Sequence, residues 1–233
     1  YLEQRGQAVG QKCLDMERQA IQAMFRPVTN KLGAGETLPV IKADQPQVLG
    51  SRAYNPQQVA LICERLAPHN ALATEIAYTA GLRAHELLTL QPRSERTPDP
   101  RPALPTKFEG REDGSRYVVT GKGGLIREVQ LPSHLAARLE AQRLATPRPV
   151  TDRHVYYQQH YAIGGGQPWS MAVSRAAKAA LGWSTGAHGL RHAYAQERVT
   201  ELQTLEHSQK VANETVSQEL GHFRPEITTT YLR

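Results

Sequence analysis

Apolar positions recur at helical spacing along several stretches of the chain and alternate in only one. Val9, Leu14, Ile21, Met24 and Phe25 form an incomplete stripe among Gln, Lys and Arg, and predict a helix over 8–26. From 27 to 51, Pro27, Gly33, Gly35, Pro39, Pro46 and Gly50 interrupt any period, so this stretch reads as a linker with a domain boundary near 50. Asn55-Pro56-Gln57-Gln58 then opens a helix: Asn55 can cap, Pro56 suits the first turn, and Gln58 stands at the capping-box position. A second helix over about 70–80 stops at Gly81, a residue suited to a left-handed C-cap. A third starts at Arg83 and carries Glu86, Leu87 and Leu88. Residues 91–106, rich in Pro and Arg, read as loop.

The alternating stretch is Tyr117 to Leu131. Tyr117-Val118-Val119-Thr120, the turn Gly121-Lys122-Gly123-Gly124, and Leu125 to Leu131 read as a β-hairpin with Lys122 at its tip. Ser133 is placed to cap a helix running to about 145, Gly164-Gly165-Gly166 breaks the chain, and Ser170 to Leu181 is a small-residue helix stopped by Gly182. Further helices are expected over 188–205 and 209–220, with Pro225 opening a last short turn. The fold class is therefore mainly α with a small antiparallel β-sheet (α+β).

Composition narrows the function. The chain has 233 residues, enough for one large domain or a small and a medium one. No apolar run approaches the roughly 20 residues a membrane helix needs, and mean hydropathy is −0.52. A net charge of +6 favours a polyanionic partner. Cys13 and Cys63 are far apart and form no CxxC, which suggests reduced thiols in a cytoplasmic protein. The nine His form neither HExxH nor a Cys/His cluster, so no metal or other cofactor is expected. The chain does not begin with Met, and a fragment of a longer protein is expected.

Four short words hold the candidate chemistry: Gly81-Leu82-Arg83-Ala84-His85-Glu86-Leu87, His188-Gly189-Leu190-Arg191-His192, Leu220-Gly221-His222, and Tyr231 nine positions later. A phosphodiester attacked by an oxygen passes through a highly charged pentacoordinate state. Arginine stays charged and can grip two phosphate oxygens, so Arg83 and Arg191 are candidates to clamp it. His188 can exchange a proton with the nucleophile or donate to a phosphate oxygen, and His222 can donate a second hydrogen bond. Tyr231, a phenol with an ordinary pKa near 10, is the candidate nucleophile. Lys122, flanked by glycines, is the candidate proton donor to a departing 5′ oxygen, with Lys107 its competitor. Glu86 reads as an orienting hydrogen-bond partner and His192 as a supporting residue. His85 reads as surface, and Tyr117, Tyr156, Tyr157 and Tyr161 as packing or surface.

The order GLRxxEL, HxLRH, LGH, Y resembles the tyrosine recombinase (phage integrase) family, over roughly Arg52 to Arg233. The resemblance implies a site-specific DNA recombinase that cuts and rejoins strands through a 3′-phosphotyrosine, without metal or ATP, for integration or excision of a mobile element. Its implied catalytic set is Arg83, Lys122, His188, Arg191, His222 and Tyr231. Residues 1–30 would be the remnant of a helical DNA-clamping domain, 31–51 a linker, and 52–233 the catalytic domain. Implied partners are double-stranded DNA carrying a recombination site and, on that DNA, a homotetramer of a chain that is monomeric when free, in the prokaryotic cytoplasm at the nucleoid. Rival readings are a type IB topoisomerase, a telomere resolvase, or a DNA-binding regulator without catalysis. The stretch from Arg191 to His222 carries a polar insertion near 201–211.

Overall fold

The computed structural model describes residues 1–45, 50–222 and 225–232, leaving aside the Ile227 side chain. The chain divides into two compact units, Tyr1–Gly50 and Ser51–Arg233. In the first, the stretch read as one helix is two, α1 (Leu2–Ala8) and α2 (Gln11–Phe25), because the chain turns extended at Val9 and Gly10. Arg5 ties them by an ion pair to Glu17 at 2.6 Å. Residues after α2 do not hang free: the Leu38 N–H donates to Gln22 Oε1 at 2.7 Å and the Ala43 N–H to Gln11 Oε1 at 2.9 Å. Gln22 is buried, and its amide oxygen satisfies a backbone N–H of this stretch.

The second unit opens with α3 (Pro56–Cys63), where both bonds of the Asn55–Gln58 capping box form. Next, α4 (Pro68–Ala80) ends at Gly81 in the left-handed region, φ +60°. Chain reversal here requires glycine twice over. A Cβ at this position would lie 2.7 Å from Leu220 Cδ2 and Tyr194 Cδ1. Arg83 does not start a helix: it sits in a loop ahead of a single 3-10 turn, Glu86–Thr89.

Strands β1 (Gln91–Pro92), β2 (Ser115–Thr120) and β3 (Ile126–Leu131) form an antiparallel sheet in that order, with Thr120 opposite Ile126 and Ser115 opposite Leu131. Lys122 lies in the turn between β2 and β3 and is exposed. Helix α5 (Ser133–Glu140) is shorter than its sequence suggests. Ser133 does not cap it, because its hydroxyl donates to the Asp113 carbonyl instead. The remainder of the expected helix is strand: β4 (Arg143–Asp152) pairs with β5 (Val155–Tyr161) as a two-stranded ribbon. Residues 143–145 are drawn into the strand because Thr146, Pro147 and Pro149 directly after them cannot continue a helix.

Helices α6 (Gly166–Leu181), α7 (His188–Thr204), α8 (Gln209–Glu219) and the short α9 (Pro225–Thr228) complete the unit. The stretch near 201–211 is the end of α7, a turn and the start of α8, held in part by His207 Nε2 2.7 Å from Glu109. One core joins α3, α4, the sheet, α5 and α6 around Ile62, Ile76, Val119 and Trp169, whose indole N–H donates to Thr74 at 3.1 Å. A second, smaller core between α7 and α8 contains Tyr194, Leu202, Val216, Leu220 and Tyr231.

Candidate active site

The site is organised around one buried carboxylate. Glu86, fully buried in its 3-10 turn, accepts from the Arg83 backbone N–H at 2.8 Å and from Arg83 Nη1 at 2.8 Å. Arg127 Nη2 donates to it at 2.8 Å, and Arg191 Nη1 stands 3.8 Å away. Burial alone would drive Glu86 to the protonated form. Arg127, Arg191 and Arg83 reverse this and hold it well below the usual carboxylate range. It is ionised and satisfied, and serves as the anchor of three arginines.

Arg191 enters from the first turn of α7 and is wholly buried. Its guanidinium donates to the carbonyls of Gly81 and Leu220, and reaches toward His222 Nε2 at 3.2 Å. The left-handed turn at Gly81 is what aims that first carbonyl at α7. Burial, only partly offset by Glu86, brings the Arg191 pKa down to about 10, still cationic at neutral pH.

His222 follows α8 at a chain reversal. Its backbone N–H donates to Ser217 O at 2.8 Å, and its carbonyl accepts from the Ser217 hydroxyl at 2.6 Å. Nε2 of His222 lies 3.2 Å from Arg83 Nη2, 3.2 Å from Arg191 Nη2 and 3.3 Å from Tyr231 Oη. Guanidinium nitrogens only donate, so this Nε2 is an acceptor and the imidazole is neutral. Burial and then the charges of Arg191, Arg83 and Arg127 depress its pKa to about 4.

Tyr231 is 7% exposed, and Gln196 donates to its carbonyl at 3.0 Å. Its ring packs 4.7 Å from that of His192 and 5.5 Å from that of His188, with the Arg191 guanidinium carbon 5.7 Å from the ring centre. His188, brought down to about 4 by burial and by Arg191, reaches Tyr231 by ring packing, whereas His222 lies within hydrogen-bonding reach of the phenolic oxygen. His192 is buried and lowered by burial, as suits a neutral packing partner.

The fold thus brings together Arg83, Glu86, His188, Arg191, His192, His222 and Tyr231 from four separate words of sequence. Lys122 stands outside this set of contacts, on its exposed turn beside a cleft lined by His85, Tyr156 and Tyr157. Lys107 is lowered by burial, and its Nζ lies 3.7 Å from Glu128. His85 is not at the surface: it is half-buried, with its ring 6.4 Å from that of Tyr157. Tyr117 and Tyr161 are buried and both donate to Glu140 Oε1, at 2.7 and 2.8 Å, which removes them as nucleophiles.

Sequence reading missed Arg127, Ser217 and Gln196. Arg127 had a readable signal. It shares the inward face of β3 with Val129 and Leu131, and an arginine facing a core requires a buried anion. Among the described residues, no helix is long and apolar enough to cross a membrane.

No family model matches the sequence, and no curated protein does. Among solved structures, the chain is similar to the XerH site-specific recombinase bound to difH substrate in a pre-cleavage complex, at 17% identity and TM-score 0.57, covering 100% of this chain and 64% of that one. It is similar to the XerA recombinase at 13% identity and TM-score 0.51, covering 97% and 72%. It is also similar to lambda integrase, solved as a tetramer bound to a Holliday junction, at 16% identity and TM-score 0.56, covering 96% and 60%. The chain thus spans about two thirds of the length of these proteins, and its fold is that of the tyrosine recombinases.

Proposed function

We propose that this chain is the catalytic part of a site-specific DNA recombinase, an integrase of a mobile element, that cuts and rejoins DNA through a 3′-phosphotyrosine. The observation that carries the reading is the placement of Tyr231 Oη 3.3 Å from the neutral Nε2 of His222, itself 3.2 Å from two arginines. A neutral imidazole has no use for two guanidinium groups beside it, but a phosphate brought to the tyrosine oxygen does.

In this reading Arg83 and Arg191 take the two non-bridging oxygens of the scissile phosphate. Tyr231 Oη attacks phosphorus while its proton passes to His222 Nε2. The P–O5′ bond breaks, and Lys122, carried in on the β2–β3 turn, protonates the leaving 5′ oxygen. His188 donates to a phosphate oxygen. Glu86 and His192 position the set, and Glu86 keeps both arginines in place from behind the reacting face. The tyrosyl ester retains the energy of the bond broken, so attack by a 5′-hydroxyl rejoins strands without ATP. The arginines supply the charge a metal would otherwise supply. Residues 1–30 are the remnant of a clamping domain, and strand exchange takes place in a homotetramer on DNA.

A nicked suicide duplex tests this. Wild type should form a covalent protein–DNA adduct, and Tyr231→Phe should form none while binding DNA almost as well, since only the attacking oxygen is gone. An adduct in the Phe variant would overturn the assignment. Exchange of strands between two duplexes, rather than relaxation of one, separates recombination from topoisomerase activity.

A further inference from the structure

The ribbon β4–β5 plays no part in the cluster around Glu86, yet it is built in an unusual way. Asp152 pairs with Val155, so Arg153 and His154 form a two-residue turn, and both have positive φ, +48° and +64°. Turns of that kind normally carry Asn-Gly, because a side chain in the left-handed region costs about 1–2 kcal/mol per residue. An Arg-His pair there is strained, and strain of this sort is retained where the side chains are used. The next turn-flanking residues are exposed too: Val155 is 49% accessible and Tyr156 86%, a large apolar surface for a ribbon tip.

The residues flanking this turn are nonetheless fixed on their inward side. Asp152 is buried and accepts the Gln167 N–H at 2.7 Å at the start of α6, while the Gly166 N–H donates at 2.7 Å to the carbonyl of Ala84, next to Arg83. Tyr157 packs on His85 in the same loop. The tip is therefore held at a set position relative to the arginine cluster.

Between this tip and the Lys122 turn lies an open cleft of about 820 Å³. Arg96, Lys122 and Arg153 line it, and the one carboxylate in its lining, Asp152, is already engaged by the Gln167 N–H and by Arg153 Nε at 3.2 Å. Among the described residues, Arg96 and Lys122 have no carboxylate within ion-pair distance. A cleft lined by three cations against one carboxylate, with two of those cations outside any ion pair, Lys122 on one wall and an exposed tyrosine at its lip matches a polyanion.

We propose that the β4–β5 ribbon is a second DNA-gripping element. Arg153 and His154 contact the phosphate backbone of the duplex that Lys122 approaches from the other wall, and Tyr156 packs against that duplex. This rests on the recombinase reading and adds to it where the DNA runs. A two-stranded ribbon is of a size that a DNA groove admits.

The test uses the whole chain and a 40-bp duplex of arbitrary sequence, followed by fluorescence anisotropy from low to moderate salt. R153N/H154G installs the turn residues the backbone prefers, so the fold should be kept and the melting temperature unchanged or raised. Affinity should fall about tenfold or more, and the log–log salt slope should drop by about one for each phosphate the variant no longer neutralises. Tyr156→Ala, at an exposed position, should weaken binding several-fold with an unchanged slope. Wild-type affinity and slope in both variants would overturn the ribbon's role while leaving the Tyr231 adduct intact. Absence of both duplex binding and adduct in wild type would instead overturn the recombinase reading, and the ribbon's role with it.

Discussion

At the residue scale, the site is a case of charge compensation. Arg191 and Arg127 are both nearly inaccessible, and their partner Glu86 is fully so. Removing one member of such a group is costly because the others stay buried and uncompensated. Two of the three histidines around the tyrosine are held down by burial and then by the neighbouring arginines, and this has a measurable consequence. His188 and His222 sit at about 4, against an ordinary 6.5. The folded chain therefore keeps them neutral where the unfolded chain has already taken up protons. Their contribution to stability is complete above about pH 6.5, is lost progressively as pH falls toward 4, and is flat below that. Urea midpoints measured at pH 7.0, 5.5 and 4.5 should fall in that order, and H188Q/H222Q should flatten the upper part of the fall. A midpoint independent of pH between 7.0 and 5.5 would contradict the depressed values.

Among the elements, what was legible in the sequence followed local chemistry. Asn55-Pro56-Gln57-Gln58, Gly81, and the glycines after Thr120 mark element ends by side-chain hydrogen bonding or backbone freedom, and each is where the sequence places it. The helices at 188–205 and 209–220 were likewise readable from period alone. The ribbon β4–β5 was not, because most of its side chains are exposed on both faces and so show no alternation for a reader to find. Arg83 is not on a helix although Leu87 and Leu88 look helical: the backbone here makes i→i+3 bonds, Glu86 N–H to the Arg83 carbonyl and Leu88 N–H to the His85 carbonyl, and the Glu86 carboxylate takes the Arg83 N–H. Gly81 links element to site. Gly81→Ala would force an L-residue into φ +60° and push a methyl into Leu220 and Tyr194, while disturbing the carbonyl that receives Arg191. The expected cost is about 2–4 kcal/mol from conformation and overpacking together, read as a shift in urea midpoint. Gly182→Ala, at a left-handed C-cap with open space around it, should show only the conformational part, and equal losses at the two positions would refute the packing argument.

For the whole molecule, charge and core are unequally divided. Residues 1–50 hold six basic and five acidic side chains, so five of the six excess positive charges belong to 51–233. Both hydrophobic cores and the entire Arg–Glu–His–Tyr cluster belong there as well. In the first unit Arg5 is paired with Glu17, Arg18 lies 3.9 Å from Asp15, and Arg26 donates to the Glu36 carbonyl, which leaves few cations uncommitted. A unit with so small an excess of positive charge adds little grip on a polyanion. Residues 51–233 produced alone should therefore melt cooperatively within a few degrees of the 233-residue chain. On one duplex, both should lose orders of magnitude in affinity between about 50 and 200 mM salt, as displacement of condensed counterions requires. The two log–log slopes should differ by about one unit or less. A difference of several units would place a large share of the phosphate contacts in residues 1–50, making that unit a working clamp in its own right. Failure of 51–233 to melt cooperatively would mean that its two cores depend on the first unit.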